Sequence, residues 1–96
     1  MLEKVIEERL RDGVKRLGGV AFKFVSPGND GVPDRLVCLP SGRIAFIEMK
    51  APGKKPTPLQ VRQMERLRGL GFMAFVIDSI EAVDEYIRFE EGGGRR

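Results

Sequence analysis

The stretch Asp34-Arg35-Leu36-Val37-Cys38-Leu39-Pro40-Ser41-Gly42-Arg43-Ile44-Ala45-Phe46-Ile47-Glu48-Met49-Lys50 decides the fold. Pro40 at the first central position and Gly42 at the third fit a three-residue hairpin loop, a type I turn followed by a left-handed residue. Leu39 then lies opposite Arg43, and counting back sets Leu36 opposite Phe46 and Asp34 opposite Glu48. Directly opposed residues share a sheet face, with Cβ atoms about 5 Å apart. Glu48 and Lys50, two apart on one strand, share that face as well. Two facing carboxylates repel, and the pair is destabilising unless a cation lies between them. A divalent ion removes the conflict, and hard oxygen ligands favour magnesium or manganese over zinc. A register slip of one residue would send Asp34 to the other face. Each residue also has a plainer use: Asp34 can close a turn after Pro33, and Glu48 with Lys50 can form a strand-end ion pair.

Working outward, Arg43 to Lys50 is apolar on both faces until Glu48, the mark of a central, buried strand. The hairpin's other strand runs from Asp34 to Leu39, and Cys38, on the Asp34 face by alternation, reads as a small core residue. Before it, Ser26 to Pro33 is a loop dense in turn formers, preceded by a strand from Val20 to Val25. Leu2 to Leu17 reads as a helix with apolar residues at Leu2, Ile6, Leu10, Val14 and Leu17, stopped by Gly18-Gly19. After Ala51 to Pro56, Thr57 caps a helix with Pro58 at its first position, running to about Arg68. Phe72 to Ile77 is a fourth strand, and Ser79 caps a last helix from Ile80 to about Phe89. The expected organisation is one α/β domain over residues 1–89, with 90–96 a flexible tail lacking an apolar anchor. Its order, α-β-β-β-α-β-α, gives a mixed central sheet flanked by helices.

The bulk numbers narrow the chemistry. Ninety-six residues with 42% hydrophobic and 32% charged content suit one small globular domain. The longest apolar run, Phe72 to Ile77, has six residues, so no membrane span is expected, and the alternating charges of the N-terminus do not read as a signal peptide. Cys38 is the only cysteine and there is no histidine. That excludes an internal disulfide, the usual Cys/His zinc sites, and Ser-His-Asp or Cys-His catalysis. A reducing cytoplasm is the expected compartment. Net charge is only +3, but Lys50 to Arg68 carries six cations against Glu65 alone, a local +5. Such a stripe suits a polyanion whose phosphates supply binding energy, and it equally suits a solvated helix face. At a phosphate, a metal held by Asp34 and Glu48 would polarise a phosphoryl oxygen and generate a nucleophile from water without histidine. Lys50 can orient that water or neutralise charge on the pentavalent phosphorane.

Gly31-Val32-Pro33-Asp34, followed fourteen residues later by Glu48-Met49-Lys50, resembles the Asp…Glu-x-Lys signature of the restriction-endonuclease-like PD-(D/E)xK nucleases. The αβββαβ order is similar to that fold's core. The G-x-P-D step, the I-E-x-K strand, the Thr57-Pro58-Leu59-Gln60 helix start and the Gly69-Leu70-Gly71-Phe72 entry to the last strand resemble, more narrowly, the virus-type replication-repair nuclease (VRR-NUC) family. This resemblance implies that Asp34 and Glu48 are metal ligands, that the Met49 carbonyl also reaches the metal, and that Lys50 is the catalytic lysine. It implies a further acidic residue from the first helix, among Glu3, Glu7 and Glu8. Glu7 is preferred because it lies beside Ile6, near the packing face, although an ordinary solvated charge fits it too. Gln60 corresponds to a family glutamine near the active site, while Thr57-x-x-Gln60 is also a capping box. Asn29, Lys54, Lys55 and Arg62 are candidate DNA contacts, Lys54 and Lys55 equally lying in what reads as a flexible linker.

The activity implied is a magnesium- or manganese-dependent endonuclease acting on branched DNA such as four-way (Holliday) junctions in a bacterial or phage-infected cell. A small domain offers little surface for reading bases, in agreement with recognition of shape and phosphates. Two symmetric cuts imply a two-fold homodimer. An inactive nucleic-acid-binding module of the same fold, and a nuclease acting on flaps or RNA, are the competing readings.

Overall fold

In the computed structural model, which describes residues Leu2 to Gly94, the first helix forms where apolar side chains recur one turn apart. Helix α1 (Glu3–Arg16) buries Ile6, Leu10 and Val14 and leaves its charged residues outside. Strands β1 (Val20–Lys23) and β2 (Arg35–Cys38) follow, then a short turn over Pro40–Gly42 and β3 (Ile44–Met49). Helix α2 (Pro58–Gly69), β4 (Met73–Ile77) and helix α3 (Ile80–Glu91) complete the domain. The sheet has four strands in the order β1-β2-β3-β4, antiparallel except for the parallel β3–β4 pair. A parallel pair needs a long crossover, and α2 supplies it.

Alternation along the strands sorts two cores. Val37, Ala45, Ile47, Met49 and Ile77 face α1 and α3 and are fully buried with Ile6, Leu10, Val14 and Val83. Phe46 and Ala74 face α2 and bury Met64. α1 and α3 touch closely: a Cβ on Gly13 would lie 2.8 Å from the Ile87 side chain. α2 covers less of its face, so Val20 and Phe22 on β1 stay exposed and Cys38 is half-buried rather than in the core. No helix among the described residues is long and apolar enough to cross a membrane.

Most element boundaries agree with the sequence within two residues. The hairpin pairs Leu36 with Phe46 and Arg35 with Ile47, and the Leu39 amide donates to the Arg43 carbonyl at 2.8 Å. The turn itself differs: Ser41 (φ 68°) is already left-handed before Gly42 (φ 74°), so it is not the expected type I turn, yet it has the same length and leaves the register unchanged.

Helix α3 runs two residues beyond Phe89, into the expected tail. Glu90 is 1% exposed, and its carboxylate accepts from Tyr86 Oη at 2.8 Å and from Arg43 Nη1 at 2.7 Å. A charged residue can thus anchor a helix end when its partner comes from a distant hairpin. Arg95 and Arg96 of that tail lie outside the described residues.

Thr57 accepts from the Gln60 amide and Gln60 Oε1 accepts from the Thr57 amide, a complete capping box on α2. Thr57→Ala is expected to cost about 1 kcal/mol in urea-induced unfolding. A change in the unfolding midpoint too small to resolve would show that α2 is held by its packing alone.

Candidate active site

The site is assembled where β2 begins and β3 ends. Pairing of Arg35 with Ile47 places Asp34 across from Glu48, one step further along the ladder. Asp34 is held from the β1 side through its backbone and from the β3 side through its side chain. Its carbonyl accepts from the Phe24 amide at 2.8 Å, and its Oδ1 accepts from the Met49 amide at 3.1 Å. The Lys50 amide donates to the Ile77 carbonyl at 2.9 Å, so the Lys50 backbone faces β4 and the Met49 backbone faces β2. The Met49 carbonyl therefore points to the Asp34 side, while the Met49 side chain is buried in the core below.

Electrostatically the pair is in conflict. Glu48 is 4% exposed and its carboxyl is pushed up to about 7 by burial, then by the Asp34 charge, against the lowering effect of Lys50. Asp34 is raised too, by burial first; the Met49 amide opposes the shift, while Glu7 and Glu3 add to it. Lys50 Nζ lies 3.5 Å from Glu48 Oε2, a loose ion pair. Two half-frustrated carboxylates with an adjoining backbone carbonyl form an all-oxygen donor set, which fits a hard divalent cation. Among the described residues no three carboxylate, histidine or cysteine groups gather closely enough to hold a metal by themselves. The side chains that could hold such an ion are Asp34 and Glu48.

The loop leading to Asp34 is seated on α2. Gly31 (φ +84°) lies so close that a Cβ there would be 2.8 Å from Leu59 Cγ and 3.3 Å from the Gln60 nitrogen. Pro33 is fully buried, and Gln63 Nε2 donates to the Asp30 carbonyl at 3.0 Å. Glycine at 31 is therefore required twice over, by conformation and by space.

Comparison with known proteins shows where the fold belongs. A solved "VRR_NUC domain" superimposes with a TM-score of 0.84 at 38% identity, covering 90% of this chain and 94% of the other. The curated "Putative nuclease p44" of Acyrthosiphon pisum secondary endosymbiont phage 1 is 57% identical over 77 residues, 80% of this chain and 83% of that protein. The chain belongs to the VRR_NUC family. A second solved structure, a "VRR_NUC domain protein", shares the fold with a TM-score of 0.67 at 24% identity, over 92% of this chain and 86% of that one. No protein-family model matches the sequence.

Within this VRR_NUC domain the first-helix acids have different surroundings. Glu7, the preferred one, lies near the packing face as expected, but there Arg35 Nη2 donates to its Oε1 at 2.8 Å. Alternation along β2 turns Arg35 away from the Asp34 face and toward α1, so it captures Glu7. The Arg35 guanidinium also reaches the Ala21 carbonyl at 3.3 Å. Glu3 is the first-helix acid whose charge acts on both Asp34 and Glu48, whereas Glu7 acts on Asp34 alone. Glu8 is exposed.

Gln60 spends its side-chain oxygen on the capping box, although its backbone touches the Gly31 segment. Asn29, Lys54, Lys55 and Arg62 are all exposed and stand outside the carboxylate cluster. Asn29 Nδ2 is tied to Ser26 Oγ at 2.9 Å, and the Lys54 amide closes a turn onto the Ala51 carbonyl. Sequence reasoning missed Arg35 and Gln63. For Gln63 a signal exists, since it follows Gln60 by one helical turn; for Arg35 there is none beyond its place next to Asp34.

Proposed function

We propose that this VRR_NUC domain is a magnesium- or manganese-dependent DNA endonuclease that hydrolyses phosphodiester bonds in branched DNA such as four-way junctions. The observation that carries the reading is the opposed Asp34 and Glu48 pair with Lys50 on the same sheet face. The relatives named as a nuclease and as VRR_NUC domains support it.

Asp34 and Glu48, with the Met49 carbonyl, would hold the ion, which when bound supplies Lewis acidity toward a phosphoryl oxygen and an acidified water. Glu48 must release its proton to serve, and Lys50 favours that release. The Lys50 ammonium, carrying three donors and no acceptor, is placed to orient the attacking water and to stabilise the extra negative charge of the phosphorane. Asp34 is positioned by the Met49 amide and leaves its other oxygen for the ion. Lys54, Lys55 and Arg62 would meet DNA phosphates by charge, and Asn29 by its amide. Two such domains in a two-fold homodimer would make the paired cuts that a junction requires. The proposed setting is the cytoplasm of a bacterial or phage-infected cell.

The test incubates labelled four-way junction, flap, linear duplex and RNA with the protein in magnesium, manganese or EDTA, beside Asp34→Ala. Cleavage of the junction in either metal, its loss in EDTA and in Asp34→Ala, and weak cutting of the duplex are expected. Binding without cleavage in any metal overturns the enzyme reading. Equal cutting of duplex and junction overturns the structural preference.

A further inference from the structure

Beside the candidate site lies a groove of about 280 Å³ between helix α2 with Leu70 at its end, Phe46 of β3, and the segment from Phe24 to Val32 that leads to Asp34. Its floor is apolar, built from Phe24, Phe46 and Leu67, and its rim carries Asn29, Gln63 and Arg66. Phe24 and Phe46 meet edge to face at 5.6 Å, so the floor is an aromatic surface. The groove adjoins the site through two elements. Val32, which lines it, precedes Asp34 by two residues, and Phe46 precedes Glu48 by two on the same face of β3. Two residues along a strand span about 7 Å. One nucleotide of an unstacked strand covers that distance.

We propose that this groove binds the base of an unpaired nucleotide flanking the scissile phosphate. The proposal rests on the nuclease reading above and bears on which substrates are cut: a continuous duplex offers no free base, a flap offers one outright, and a fully paired four-way junction offers one where a pair at its crossover opens. Aromatic walls stack any base through its π-face, independent of sequence. The polar rim fits the rest of the nucleotide. Gln63 donates one amide hydrogen to Asp30 and Asn29 one to Ser26, leaving their side-chain oxygens as acceptors for base amino groups. Arg66 is exposed and has no ion-pair partner among the described residues, and it supplies positive charge for the nucleotide's phosphate. The volume sits at the lower end for ligand pockets, roughly 300 Å³ upward.

The experiment places a normal or an abasic nucleotide at each position around the cut in flap DNA and in a four-way junction, and measures single-turnover cleavage. An abasic site at the one position that occupies the groove should slow cleavage about tenfold. In Leu70→Asp, which puts a negative charge at the exposed groove wall, that ratio should fall to within about twofold. A second arm needs no cleavage: a metal-free, single-stranded oligonucleotide carrying 2-aminopurine should change fluorescence saturably on the native protein and not on Leu70→Asp. Cleavage with equal rates for base and abasic substrates, and no fluorescence change, overturns the groove and leaves the nuclease reading intact. A fluorescence change with no DNA cut under any metal overturns the nuclease reading and leaves the groove. If Leu70→Asp instead alters the sedimentation of the free protein and leaves base discrimination unchanged, the groove is a protein interface and the proposal fails.

Discussion

Lys50→Ala is expected to slow cleavage of branched DNA by two to three orders of magnitude, roughly the cost of removing one preorganised charge-stabilising donor. The reason lies in its position. Lys50 Nζ stands 3.5 Å from the nearly buried Glu48 carboxylate, too long for a strong hydrogen-bonded pair and held on the face where phosphate charge would develop. A residue kept there for stability alone would show itself differently: its loss would lower the unfolding midpoint and leave the chemical step within about threefold of native, given what a weak ion pair contributes. The substitution has a second consequence. Lys50 lowers the Glu48 proton affinity, so without it Glu48 binds its proton more tightly, while the repulsion between the ammonium and a metal ion is lost, and metal affinity changes with the balance of the two. Single-turnover rates at saturating metal separate the two effects. Lys50→Arg is expected to restore metal affinity but not the rate, because the guanidinium fork does not reproduce a compact ammonium. Full activity in Lys50→Ala at saturating metal would remove Lys50 from the chemistry.

The second large effect is on stability, and its sign is unusual for an acidic residue. Glu48 has its carboxyl raised from 4.5 to about 7 in the folded chain. A carboxyl raised on folding favours the native state below its unfolded value, near pH 4.5, and that contribution is lost as pH climbs through 7. The shift is worth about 3 kcal/mol. Metal-free protein is therefore expected to lose about that much stability from this group between pH 5 and pH 8, with Asp34, also raised, acting in the same direction. Glu48→Gln removes the titrating group while keeping its shape. It should exceed the native chain in stability at pH 8 and lose the advantage at pH 5, as read from urea unfolding in EDTA. Magnesium should reverse the order at pH 8, since binding to the folded state alone stabilises it and the amide variant lacks that gain. If the difference between the two proteins does not change with pH, the carboxylates are not in conflict and the argument for an ion between them falls.

The parts of this fold that could be read in advance are those settled by near neighbours. The three-residue span of Pro40-Ser41-Gly42 carried the Asp34–Glu48 register, and that held even though Ser41 takes a conformation not expected of it. Thr57 and Gln60 announced a helix start because both halves of a capping box lie within one turn. What near neighbours do not settle are choices of partner across long separations. Glu90 finds Arg43 from 47 residues away, Glu7 finds Arg35 from 28, and Gln63 finds Asp30 from 33. Periodicity says which face a side chain occupies but not which of several charged neighbours it meets there. Glu7 illustrates this: its face was read correctly, and the guanidinium waiting on that face was not.

The hydrogen bond from the Met49 amide to Asp34 Oδ1 has a bearing on how such a chain can diverge. Asparagine retains the oxygen that this amide needs, and its NH₂ group would meet the Glu48 carboxylate as a donor instead of a rival anion. One transition in the aspartate codon would thus remove a proposed ligand while relieving the repulsion. On the proposed site, the passage from cutting nucleic acid to merely holding it is a single step that keeps the Met49 hydrogen bond. Descendants that have lost the chemistry should therefore be sought among stable, well-folded sequences, with the change at this aspartate.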